Sequence, residues 1–373
     1  GGRVKAAAMQ AARWEGPTVE AEGKARAKRT SNIHHISVTL KVSQLSGWLN
    51  ADAHCRVEME AYEERRHAGW KGVQAAAAQE IVTSVVNNAG LIEAQHINQQ
   101  GGEIHLLANH GQVENSGQLN VNAASKLDHA GALVVTGEQV FLKNGAQLSA
   151  SSQVQAGEIL IGGGYQGNQP DVQNAKNTVI EQDVNIAANG LQTGDAGRVI
   201  IWADDYSDFA GSIDASAGEL SGDGGFVEVS GKQHLRFDGE VTTQALNGEQ
   251  GQLLLDPMNV TIGVNNADDL TVDATVLADT TDNNNFSISV SKVNSLLDTA
   301  DLTISAQSTI AINGDIVTSN NTSDFTLHAR EINVGSDSSI TLAGGNLTFN
   351  IETSAGGVGT ENNQLNINNH LDI

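Results

Sequence analysis

From residue 90 onward, apolar and polar residues alternate in short runs, and each run opens on a glycine. GEIHLL at Gly102, GALVV at Gly131, GEILI at Gly157, GRVII at Gly197, GFVEV at Gly225 and GQLLL at Gly251 form one series. Their glycines are 29, 26, 40, 28 and 26 residues apart, and the long gap contains an extra stretch, GGGYQGNQPDVQNAKN, from Gly162 to Asn177. A second series lies between them: GLIEA at Gly90, GQLNV at Gly117, GAQLSAS at Gly145, GSIDAS at Gly211 and GEVTT at Gly239. Two interleaved phrases on one period are an internal repeat.

Period-2 alternation over three to five residues is the mark of a short strand with one buried face. Such a strand cannot bury its apolar side alone, but stacking on the next copy completes it. The chain is therefore expected to be all-β, a parallel β-helix whose coils rise by about 4.8 Å each. Inward positions would hold Ile, Leu, Val and Ala and outward positions Asn, Gln, Glu, Ser and Thr, with outward Asn, Ser and Thr forming ladders along the axis. NSG, NG, SGDGG and NGEQG would turn the corners, with glycine supplying positive φ. Gly102, Gly131, Gly157, Gly197, Gly225 and Gly251 are read as structural turn glycines, and at least one of the last three is expected to need positive φ. On the order of a dozen coils would give a rod roughly 50–60 Å long.

Three regions follow. Residues 73–262 carry the repeat. Residues 263–373 continue the solenoid with a changed phrase, in which Leu302–Ile304, Phe325–Leu327 and Leu347–Phe349 recur 23 and 22 residues apart. Residues 263–300 interrupt it as a bulging connection whose SVSKVNSLL reads as helix. Residues 1–72 share none of the pattern. Met59–Arg66 and the Ala-rich start could seed helices; otherwise the segment is read as disordered or as the product of an upstream frame error. The first residue is not Met and the last phrase, HLDI, stops in mid-pattern, so the sequence reads as a fragment.

Charge sharpens this division. Residues 1–73 hold 12 Lys+Arg against 8 Asp+Glu, net +4, whereas the remaining 300 hold 8 against 36, net −28. The overall charge of −24 argues against nucleic acid, whose phosphates need cations, and against anionic membrane surfaces. A single cysteine, Cys55, excludes an internal disulfide. No apolar run is long enough to span a membrane.

Candidate chemistry is sparse, and no enzyme or cofactor is expected. Asp204, Asp205, Asp208, Asp214, Asp223, Glu228 and Asp238 could supply the paired carboxylates of a glycoside-cleaving enzyme. Only Lys176, Arg198, Lys232 and Arg236 accompany them to orient an anionic sugar. WADD is expected to end a strand, its carboxylates solvated or bonded to backbone amides. His34–His35, His105 with His110, and His129 do not make a tetrahedral ligand set. SGDGGF is a single copy of a motif that binds calcium only in tandem. Trp202, Asp204, Asp205 and Tyr206 are the surface-binding candidates, although Trp202 shares the strand face of Ile200 and packing is favoured over binding.

The phrases VVNNAGLIEA, GGGYQG, IIWADD, GGFVEVSGK and LLLDPMNVTI occur in this order, and over residues 75–262 the chain resembles the filamentous-haemagglutinin family of two-partner secretion exoproteins. The resemblance implies a right-handed β-helix, an outer-membrane secretion transporter as partner, and a place at or beyond the surface of a Gram-negative bacterium. It also implies cell adhesion through a receptor or glycan on a host or neighbouring cell. The NPNG-type motif of the family's secretion domain does not occur in this sequence. Two other readings stay open: a β-helical polysaccharide hydrolase or lyase, and the stalk of a contact-dependent toxin-delivery exoprotein.

Overall fold

The computed structural model describes residues 85–94, 102–263, 285–318, 322–351 and 364–367, and the backbone of Val4–Lys5, Thr18–Glu20, Lys24–Arg26 and Ser37–Val42. The two helical candidates of the N-terminal segment lie outside these residues.

Successive coils stack in parallel on three faces. The first face runs through 103–108, 132–136, Glu158–Ile161, Arg198–Ala203, Phe226–Gly231, Gln252–Leu255, Asp301–Ser305, Phe325–Ala329 and Leu347–Ile351. The second runs through Val85–Asn88, 112–115, 139–142, Asn177–Ile180, Tyr206–Phe209 and His234–Phe237. The third stacks Leu91–Glu93, Gln118–Asn120, Gln147–Ser149, Asn185–Ala187, Ser212–Asp214 and Glu240–Thr242. At one inter-strand spacing per rung, the first face spans about 40 Å over the described residues. Backbone pairing also reaches the N-terminal segment, where Ser37–Val42 runs parallel to 103–108 and Lys24–Arg26 to Leu91–Glu93.

The alternation read from the sequence becomes registered apolar ladders. Ile104, Leu133, Ile159, Val199, Val227, Leu253, Leu302 and Phe325 follow one another up the first face. Two residues along, Leu106, Val135, Ile161, Ile201, Val229, Leu255, Ile304 and Leu327 form a second row. All sixteen are wholly buried, and each such side chain contributes about 1.5–3 kcal/mol of hydrophobic free energy. Outside the rod the expected polar ladders form: Ser212 Oγ donates to Asn185 Oδ1 at 2.9 Å, and Gln252 Nε2 to Thr303 Oγ1 at 2.7 Å.

The series glycines correct the reading of their role. Among the described glycines, positive φ falls at Gly145, Gly162, Gly167, Gly222 and Gly345, and at none of Gly102, Gly131, Gly157, Gly197, Gly225 or Gly251. They stack instead at the corner leading into the first face, where each rung's backbone crowds the next. A Cβ on Gly131 would lie 1.8 Å from the Gly102 carbonyl oxygen, one on Gly157 1.9 Å from that of Gly131, and one on Gly197 2.0 Å from that of Gly157. Close approach, not backbone handedness, excludes a side chain there.

Of the connection read over 263–300, residues 264–284 lie outside the described residues, and its later part is a strand followed by a helix. Asn259–Gly263 pairs on one side with Thr309–Asn313 and on the other with Asn285–Ser289. Asn285–Ser289 thus occupies the second-face position towards His234–Phe237, which it touches. The chain steps back one level and intercalates. The predicted helix follows as α1, Val290–Leu297, with Ser289 Oγ accepting from Lys292 N–H at 3.1 Å as its N-cap. Its buried Val293, Leu296 and Leu297 replace a third-face strand, and Lys292 reaches Glu240 at 2.8 Å.

Candidate functional site

On the first face the outward middle row departs from the polar expectation. It runs His105, Val134, Leu160, Ile200, Glu228 and Leu254. Val134, Leu160 and Ile200 are buried and form a small core of their own with Leu107, Val172 and Phe226. Val172 belongs to the extra stretch 162–177, which lies over this row as a cover. Polar residues would be costly beneath it, and the row is apolar for that reason.

Glycines let the cover sit close. Gly162 and Gly167 take φ of 74° and 63°, and Gln166 between them takes 50°. A Cβ on Gly167 would lie 2.6 Å from Trp202 Cε2, and one on Gly163 2.8 Å from Trp202 Cδ1. GGGYQG and the tryptophan of IIWADD are therefore two halves of one packing unit. Trp202 is 5% exposed and packs beneath the cover. Its indole Nε1–H donates to Asp204 Oδ1 at 3.0 Å, and Asn174 Nδ2 in the cover reaches the same oxygen at 3.2 Å.

The four surface-binding candidates are thereby separated. Trp202 and Asp204 belong to the covered unit. Asp205 accepts from Gln233 Nε2 at 2.9 Å at the surface of the next corner. Tyr206 starts the second-face strand, its hydroxyl donating to Asp208 Oδ2 at 3.3 Å. Arg236, one rung on, donates to both oxygens of Asp208 at 3.2 and 3.0 Å. Burial pushes the Asp208 carboxyl up, and the Arg236 charge pulls against it.

Glu228, counted among the candidate carboxylates, is the one whose burial the sequence did not show. It stands in the apolar row with no exposed surface, and both its carboxyl oxygens accept the backbone N–H of Gln166, at 3.2 and 3.1 Å. Burial pushes its pKa up to about 7, against the opposing pull of that N–H. The signal was available: GFVEV places a glutamate where GALVV, GEILI and GRVII place Val134, Leu160 and Ile200. Beside it, the Arg198 guanidinium lies 5.0 Å from the Tyr165 ring and 5.5 Å from that of Phe226, with Glu158 at 3.6 Å. Arg198, Glu158 and Phe226 edge an open groove of about 650 Å³ whose floor is the glycine corner at Gly131, Gly157, Gly197 and Gly225.

Elsewhere carboxylates bond backbone from rung to rung. Asp195 Oδ1 accepts the N–H of Asp223, and Asp223 Oδ1 that of Glu249, at 3.0 and 2.9 Å. Asp301 serves Asp324, and Asp324 serves Asn346, at 2.9 and 2.7 Å. SGDGGF is one such capping turn. Among the described residues, no three His, Cys, Asp or Glu side chains are placed to hold a metal; His34, His35 and Cys55 lie outside them.

No protein-family model matches the chain, and no curated protein matches it. Among the described residues, no helix is long and apolar enough to cross a membrane.

Proposed function

We propose that this chain is a shaft segment of a secreted adhesin of the filamentous-haemagglutinin type, a stiff rod that carries weak contact surfaces away from the cell. The observation that carries this reading is the use of the carboxylates. Asp195, Asp223, Asp301 and Asp324 each satisfy the backbone of an adjacent coil, an arrangement that commits these four carboxylates to joining one coil to the next. A hydrolase needs two carboxyls held apart in pKa across one cleft, whereas Glu228 is enclosed and faces a backbone amide. The resemblance of VVNNAGLIEA, GGGYQG, IIWADD and LLLDPMNVTI supplies the adhesin and its outer-membrane transporter.

Two assays test the reading. Beads coated with the chain should adhere to epithelial or bacterial cells above a scrambled-charge control. Acidic and neutral polysaccharides incubated with the chain should release neither reducing ends nor unsaturated products. Cleavage that disappears in Asp204→Asn/Asp205→Asn, with the fold retained, would replace the adhesin with an enzyme.

A further inference from the structure

The cover at 162–177 rests on an apolar row, yet one of its anchors is an acid. Glu228 has no exposed surface, and the groups that shield it come in part from the cover. Gln166 donates its N–H to the carboxyl from the cover's 3-10 turn, Tyr165–Gly167, and Tyr165 stacks edge-on against Phe226, 5.7 Å between ring centroids. Lifting this turn would return Glu228 to water, where a carboxyl ionises near its ordinary value.

We propose that the cover is coupled to a proton: it closes over Glu228 in the neutral form and is loosened when that carboxyl ionises, uncovering Val134, Leu160, Ile200 and Trp202. The charged groups acting on Glu228 from the packed elements are Arg198, one rung before, and Asp256, beyond the strand one rung after. Arg198 favours the ionised form and Asp256 opposes it, with burial the larger influence. Within the cover, Asp171 and Lys176 stand in solvent, and Lys176 is paired to Glu138 at 2.6 Å. The sign follows from a carboxyl pushed from 4.5 up to about 7 by closure. The closed state binds more protons, so closure is fully favoured below about 4.5, weakens as pH rises, and levels off above about 7.

Hydrogen exchange read by mass spectrometry on the full chain, corrected for intrinsic rates, tests this. Amides of the cover, among them Gly167, Asn168 and Val172, donate to carbonyls within it and report its closure. In the wild type their protection should fall by about a hundredfold between pH 4.5 and 7.5, since each unit of pKa shift is tenfold. Glu228→Gln should hold protection flat across that range. Asp256→Asn, which leaves Glu228 in place, should move the midpoint to lower pH. Flat protection in the wild type, an unchanged slope in Glu228→Gln, or an unmoved midpoint in Asp256→Asn would each overturn the coupling.

Discussion

Asn88 donates its side-chain amide to the side-chain oxygen of Asn115 one rung away, Nδ2 to Oδ1 at 2.8 Å. Both lie buried where the second face turns towards the third, and each also donates to a backbone carbonyl two residues on, Gly90 for Asn88 and Gly117 for Asn115. The next rung carries Leu142 at the same level, so the polar pair abuts an apolar column.

The pair should therefore behave as a unit. Asn115→Leu leaves one of the two Asn88 amide hydrogens without an acceptor and is expected to lower stability by about 1–3 kcal/mol. Asn88→Leu/Asn115→Leu should recover part of that loss, because neither partner then remains unmatched. Denaturant midpoints of the three variants measure the coupling.

The corner glycines separate two kinds of constraint. Gly197→Ala places a methyl 2.0 Å from the Gly157 carbonyl oxygen and is expected to cost about 3 kcal/mol, since packed backbone must shift. Gly145 has φ of 87° with open space around it. Gly145→Asn, a residue that tolerates this conformation, should cost under about 1 kcal/mol. Thermal melts of both variants would distinguish crowding from handedness.

The two aspartates of WADD should not be equivalent. Asp204→Ala leaves the Trp202 N–H without its acceptor and removes a partner from Asn174, for an expected loss of about 1–3 kcal/mol. Asp205→Ala removes one surface contact to Gln233 and should stay within about 0.5 kcal/mol. Proteolysis within 162–177 should accelerate in the first variant alone.

Arg236→Met should make stability more sensitive to pH. Asp208 is pushed up by burial, and Arg236 offsets that push. Without the cation its carboxyl rises further, so the folded state holds its proton to higher pH than the unfolded state does. The variant's deficit relative to wild type should be largest near pH 7 and shrink as acid protonates Asp208. Melting curves from pH 3 to 8 follow it directly.

The ladders were legible because alternation and a fixed period leave few ways to bury Ile104, Leu133 or Ile159. The helix at 290–297 was legible too, from a serine cap ahead of an apolar stripe. Gly145 in NG and Gly222 in SGDGG take the positive φ expected of them, but the glycines entering the first face were found for the wrong reason, since composition cannot tell a left-handed corner from one where two backbones touch. The outward row Val134, Leu160 and Ile200 conflicted with the alternation rule, and its explanation lay in residues 162–177, far along the chain from Val134. Glu228 was named among the candidate carboxylates, but its enclosure was not legible, because only the folded cover removes its water.

The strand Asn285–Ser289 has a consequence for time as well as for space. A solenoid that emerges from its N-terminus can zip each new turn onto the finished one, but here the order is broken. Asn259–Gly263 emerges first, yet the seat against His234–Phe237 belongs to residues that come more than twenty positions later. A growing front must wait at this level until the later strand arrives and slides in beneath. Winding from the N-terminus is therefore expected to pause at this level until Asn285–Ser289 is seated, after which α1 closes the third side.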